Sequence, residues 1–131
     1  GTGHGVGVYL SVHEGAQRLA RTGHVPFEPG MILSNEPGYY REGAFGIRIE
    51  NLIHVVEAPA GADTHRDMLG FETLTFAPID RRLGDETMLS PAERDWLNAY
   101  HAEVFAKIGA RLVAAGYDET EVWLRGACAP I

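Results

Sequence analysis

The stretch MILSNEPGYYREGAFGIRIENLIHVV, residues 31–56, decides the fold. Met31 to Glu36 is an apolar run rich in strand formers that stops at Pro37-Gly38, and Phe45 to Val56 is a second, longer one. The residue before a proline is held extended and Pro-Gly then turns the chain, so Glu36 occupies a stiff position at a strand end. If the two runs pair as a hairpin around residues 37–45, cross-strand neighbours come within about 5 Å and the carboxylates of Glu36 and Glu50 converge. The spacing leaves the register open. Side chains alternate along a strand, which sends Ile47 and Ile49 to the core side and Arg48 and Glu50 to the other. A lone Arg-Ile-Glu triplet reads as a half-exposed strand with its charges in water. Its continuation, Asn51 to Val56, has the character of a strand inside a sheet, where buried charges must be paired or bind metal.

Upstream lies GTGHGVGVYLSVHEG, residues 1–15, with a strand expected over Gly5 to Val12. Its alternating glycines let backbone pack closely around the imidazole of His4. Two converging carboxylates repel unless a cation lies between them, and imidazole with carboxylate suits Mn, Fe, Co or Zn. His13 follows His4 by an odd offset that places the two rings on opposite faces of an unbroken strand. For both to reach one site the run must bend or bulge. His24, His54, His65 and His101 have no ligand-like neighbours and are expected to be satisfied core or surface residues. His13-Glu14 does not start a zinc-protease helix, because Gln17 stands where the second histidine belongs and Gly15 breaks the helix.

Residues 58–68 have loop composition and suggest an insertion, and Phe71 to Ile79 suggests one more strand. Ser90, Pro91 and Glu93 then form a capping box that opens a helix of about 25 residues, ending near Gly116. Trp96, Tyr100, Val104, Ile108 and Leu112 recur at spacing four, widened by Leu97 and Phe105. A second box, Asp118 to Glu121, opens a shorter helix with Val122, Trp123 and Leu124. The reading is α+β: residues 1–80 mainly an antiparallel sheet, residues 81–131 helical.

Eleven Lys and Arg against eighteen Asp and Glu give a net charge of −7 with scattered basic residues, so neither nucleic acid nor a membrane surface is an expected partner. No membrane span or signal peptide is expected, and the single Cys128 fits a reducing, cytoplasmic setting. The chain opens inside a glycine-rich phrase without an initiating Met, which suggests a piece of a longer protein.

In order and phrasing, His4 in GTGHGVG, His13 in VHEG, Glu36 in EPGYY and Glu50 in FGIRIEN closely resemble the Xaa-Pro aminopeptidases, or aminopeptidases P, of the pita-bread metallopeptidase superfamily. LTFAPID followed by SPAERDWLNAYH is similar to the C-terminal extension of the multi-domain cytosolic members. The resemblance implies the C-terminal half of a pita-bread fold and a centre of two divalent ions, usually manganese with zinc or cobalt as alternatives. In that family two Asp, one His and two Glu hold the metals. By motif, His4 would be the histidine ligand, Glu36 a ligand and the general base, and Glu50 the bridging ligand. His13 would bind substrate and stabilise the tetrahedral intermediate, and Arg48 would brace the ligands.

The implied reaction is hydrolysis of the bond between an N-terminal residue and a following proline in peptide substrates, by a homodimer joined through the C-terminal region. The family's two aspartate ligands lie upstream of its histidine motif, and Asp85 and Asp95 are not accepted in their place. This chain would then hold three of five ligands and be inactive alone. Prolidase-type dipeptide hydrolysis and a non-catalytic folded or dimerisation module are the alternatives. A creatinase-like member is disfavoured, because His4, Glu36 and Glu50 are all present.

Overall fold

A computed structural model describes residues 1–58 and 65–131, in two compact units, Gly1–Thr75 and Phe76–Ile131. Of the expected insertion at residues 58–68, the central part 59–64 lies outside the described residues.

The first unit contains β1 (Gly3–His4), β2 (Arg18–Leu19), β3 (Ile32–Asn35), β4 (Gly38–Arg41), β5 (Phe45–Arg48), β6 (Asn51–Glu57) and β7 (Leu69–Thr73). All pairings are antiparallel, and β6 lies between β3 and β7. The β3–β6 ladder pairs Ile32 with His54 and ends at Asn35 with Asn51, while β4–β5 begins at Gly38 with Arg48 and ends at Arg41 with Phe45. Both ladders share one register, bridged by the Ile49 N–H donating to the Pro37 carbonyl at 3.3 Å. The expected loop 37–45 is therefore itself a hairpin. Its tip is Gly43 at φ +69°, a left-handed conformation that glycine adopts without a Cβ clash, and the Ala44 N–H closes on the Arg41 carbonyl at 3.0 Å. β1 joins β3 through a Gly5–Leu33 bridge and the Glu36 N–H donating to the Thr2 carbonyl at 2.7 Å.

Alternation along this register sends Leu33, Ile53 and Val55 to one face, where they form a buried core with Leu19, Phe27, Met31 and Leu69 packed around it. Burial of each such side chain contributes about 1.5–3 kcal/mol. Ser34, Glu36, Glu50 and His54 fall on the opposite face, where His54 Nε2 meets Glu72 at 3.1 Å.

Three expected elements differ. Gly5 to Val12 is no strand; β1 stops at His4 and the chain loops out, leaving Val8 97% exposed. The long strand Phe45 to Val56 divides into β5 and β6, and Ile47 and Ile49, expected to face the core, are each 46% exposed. Their face is as alternation predicts, but among the described residues no third strand pairs with β4–β5. The strand expected at Phe71 to Ile79 runs over Leu69–Thr73, because the ladder with β6 ends at Ile53 with Thr73.

In the second unit, 3-10 turns at Arg81–Leu83 and Glu86–Met88 precede α1 (Pro91–Ala114) and α2 (Asp118–Ala127). The capping box is present: Ser90 Oγ accepts the Glu93 N–H, and Glu93 accepts the Ser90 N–H at 2.8 Å. At the other end Gly116 at φ +78° donates to the Val113 carbonyl while the Tyr117 N–H reaches the Leu112 carbonyl at 2.9 Å, the Schellman pattern. That closure makes Tyr117 the N-cap of α2, so the expected box at Asp118 does not form. Asp118 and Glu119 instead complement the helix dipole from the first turn, and Glu121 pairs with Arg125.

Tyr100, Val104, Leu124 and Cys128 are the core of this unit, with Phe105, Ile108 and Leu112 packed against it. Trp96 lies outside it, 60% exposed and stacked on Tyr100 at 5.6 Å. Cys128 is buried, and that burial pushes its thiol pKa up.

Candidate metal and catalytic site

The polar face of the first unit gathers four of the five singled-out residues around Glu36. Its position between Asn35 at the end of β3 and the Pro37-Gly38 turn is held from three sides. Ser34 Oγ, wholly buried, accepts the His4 backbone N–H at 3.0 Å and donates to Glu36 Oε1 at 3.0 Å. Arg48 Nη1 donates to Glu36 Oε2 at 3.3 Å. His4 Nε2 stands 3.2 Å from Glu36 Oε1, with both side chains less than one-fifth exposed.

The orientation of His4 follows from its other nitrogen. Nδ1 lies 2.8 Å from the Gly5 carbonyl, which accepts only if Nδ1 carries the hydrogen. Nε2 then turns its lone pair toward a carboxylate oxygen, a contact that needs a proton or a metal cation between the two. Two ligands about 2.0–2.2 Å from one ion stand roughly 3 Å apart when adjacent around it, so the His4–Glu36 pair fits one divalent metal in both chemistry and separation.

Glu50 takes part through Arg48. The guanidinium, half-exposed, reaches Glu50 Oε2 with Nε at 3.6 Å while Nη1 holds Glu36. Arg48 thus lies between the two carboxylates, as a planar fork can and an ammonium cannot. Among the described residues no three His, Cys, Asp or Glu side chains are grouped closely enough to hold a metal ion. Of the three residues expected as ligands, His4 and Glu36 are in direct contact and Glu50 is joined to Glu36 through Arg48.

His13 does reach the site. The Glu14 N–H bonds the Gly5 carbonyl at 3.0 Å, folding residues 6–13 into a loop that brings the His13 ring edge-on to His4 at a centroid distance of 4.4 Å. The glycines make this return possible: a Cβ on Gly3 would stand 2.1 Å from the Ser34 carbonyl oxygen, and one on Gly5 2.2 Å from that of Glu14. A cleft of about 580 Å³ is lined by His4, His13, Glu36, Gln17 and Tyr40. Tyr40 lies across two glycines, since a Cβ at Gly38 or Gly46 would each meet its side chain at 2.7 Å.

Ser34 and Tyr40 were not singled out from the sequence. Ser34 is two residues before Glu36 and so on its face, a signal that alternation alone supplies. Asp85 is engaged in its own turn, accepting from Thr87 N–H at 3.0 Å and from the Thr87 hydroxyl, which together lower its pKa. Of the other histidines, His54 pairs with Glu72, and buried His101 Nε2 accepts the Ile79 N–H at 3.1 Å.

Residues 1–57 match metallopeptidase family M24, and residues 67–131 match the C-terminal region of peptidase M24. Aminopeptidase P2 of Arabidopsis thaliana is 50% identical over 137 residues, covering all of this chain and 18% of that protein. A probable Xaa-Pro aminopeptidase P of Tuber melanosporum is 51% identical over 111 residues, 82% of this chain and 18% of its own. Among solved structures, an X-prolyl aminopeptidase from Caenorhabditis elegans, described as a cytosolic enzyme with a di-nuclear active site, is 41% identical with a TM-score of 0.86. It covers 100% of this chain, which spans 21% of it. The chain thus spans about a fifth of the length of the relatives it matches.

Proposed function

Since the chain belongs to metallopeptidase family M24, we propose that it is part of a Xaa-Pro aminopeptidase, which hydrolyses the bond between an N-terminal residue and a following proline. The observation that carries this reading is the His4 Nε2–Glu36 Oε1 contact of 3.2 Å on a face where Arg48 also joins Glu36 to Glu50. In the whole protein His4, Glu36 and Glu50 would ligate two divalent ions, manganese in our reading, with the remaining ligands supplied from outside this chain. When bound, such ions activate a water for attack on the peptide carbonyl.

The chain's own residues do the rest. Glu36, held by Ser34 and Arg48, accepts the proton of the attacking water, a general-base contribution of about 10²–10⁴ in rate. His13, exposed beside His4, donates to the carbonyl oxygen as charge develops there. Arg48 keeps the two carboxylates turned toward one another.

No helix among the described residues is long and apolar enough to cross a membrane. We place the enzyme in the cytoplasm, in line with its Caenorhabditis elegans relative. We assign subunit pairing to the C-terminal region, supported by Val122 and Trp123, which are 66% and 61% exposed on α2. Sedimentation of Trp123→Ala should then show a lighter species, and unchanged mass removes Trp123 from the interface.

The test of function is the purified whole protein with Mn, Zn or Co, offered Xaa-Pro-Yaa peptides and Xaa-Pro dipeptides. Release of the first residue from the longer peptides is expected; cleavage of dipeptides alone would make it a prolidase, and no cleavage would overturn the reading.

A further inference from the structure

Beyond the ligands and His13, Glu14 has a geometry that only its side chain explains. Its carboxylate turns back into the loop it closes: Oε1 accepts the Tyr9 N–H at 2.9 Å and Oε2 the Ser11 N–H at 3.3 Å. Those two amides flank Leu10, the one non-glycine residue at positive φ, +65°, among the described residues. A left-handed leucine is disfavoured by its own Cβ and persists only where its surroundings hold it. Tyr9, Leu10 and Val12 are at least 78% exposed, so no packing of their side chains does so. The Glu14 carboxylate does.

The neighbouring glycines fit the same purpose. A Cβ on Gly7 would stand 2.5 Å from Glu14 Oε1, and Gly5 lies against the Glu14 carbonyl, so both must be bare for the residue to seat. Gly15 follows at φ +90° and lets the chain leave toward β2. His13, directly before this clamp, has its ring 4.4 Å from that of His4.

We propose that Glu14 is a positioning residue: by clamping the amides on either side of Leu10 it fixes the loop 6–13 and sets His13 against His4. It touches neither substrate nor metal in this role, and acts through His13. The proposal rests on the reading of His13 as the group that meets the substrate carbonyl.

The test is made in the complete metal-loaded protein with Glu14→Gln, which keeps one acceptor oxygen, Glu14→Ala, which keeps none, His13→Ala, and both Glu14 changes combined with His13→Ala. Glu14→Ala should lower kcat by about tenfold to hundredfold, the cost of misplacing a reacting group by roughly an ångström, with KM nearly unchanged and Glu14→Gln intermediate. In the His13→Ala background either Glu14 change should have little further effect, because the two act as one unit. Losses that multiply in the double variants would overturn the proposal.

A second arm needs no activity. With labelled histidines, the His13 ring signals should shift in Glu14→Gln while those of His54 and His101 stay in place; an unmoved His13 would also overturn it. Wild-type protein that cleaves no Xaa-Pro peptide would remove the peptidase reading, and the positioning role would then be decided by the ring signals.

Discussion

Glu36 and Glu50 stand opposite one another in a single antiparallel register, and Arg48 reaches both, with contacts of 3.3 and 3.6 Å. The arrangement follows from a hairpin: in an antiparallel pair the residue two before Glu50 lies diagonal to Glu36, within reach of a long side chain. Lysine at this position offers one charge and no fork. In the whole protein Arg48→Lys should therefore weaken metal binding about tenfold to hundredfold, the usual cost of removing a partner that orients the ligands. Calorimetric titration with manganese would measure it, and unchanged affinity would show that Arg48 does not set the ligands. Glu50→Gln should go further and leave at least one metal unbound, where full two-metal occupancy by elemental analysis would count against bridging.

The isolated 131-residue chain should behave differently. With His4 and Glu36 the close pair at this site and no group of three donors among the described residues, it should bind manganese weakly and hydrolyse nothing. Proline-specific release of an N-terminal residue by the purified chain would refute this.

Much of the site was legible because strands alternate. The expectation that Arg48 and Glu50 share a face with Glu36 needed only the period of two and a hairpin, and Pro37-Gly38 marked where to look. The register was not legible, because it is fixed by the tip at Gly43 and by the passage of one ladder into the next, which the apolar pattern does not encode. The run Gly5 to Val12 misled for a related reason. Its glycines serve close backbone approach and its shape comes from the Glu14 side chain, so β-branched residues there do not make a strand. In the helical unit Ser90 and Glu93 behaved as written, whereas the box at Asp118 lost to the closure around Gly116 that had already supplied the N-cap.

Two glycines should respond oppositely to alanine. At Gly3 a Cβ would lie 2.1 Å from the Ser34 carbonyl oxygen, backbone that cannot give way without parting β1 from β3. Gly3→Ala should cost about 1–3 kcal/mol, as overpacking does, and loosen His4 with it. At Gly126, inside α2, a Cβ would meet nothing within 4 Å. There alanine should stabilise by about 0.5–1 kcal/mol through helix propensity. Denaturant unfolding of both variants checks the pair, and a shared sign would show that close approach does not govern Gly3.

His101 gives the second unit a dependence on pH whose sign follows from one hydrogen bond. The ring is fully buried, and Nε2 accepts the Ile79 N–H, so the neutral ring carries its hydrogen on Nδ1, which has no partner among the described residues. A second proton would have to enter at Nε2 and break that bond. Burial lowers the pKa of His101 from its usual 6.5, and the Arg81 guanidinium lowers it further. The unfolded chain therefore takes up a proton at higher pH than the folded one, and the stabilisation is present above about pH 6.5 and is lost as pH falls below it. The melting temperature should drop between pH 7.5 and pH 5, and His101→Gln, which cannot titrate, should flatten that part of the curve. An equal drop in the variant would place the acid sensitivity elsewhere, among the exposed histidines or the paired carboxylates.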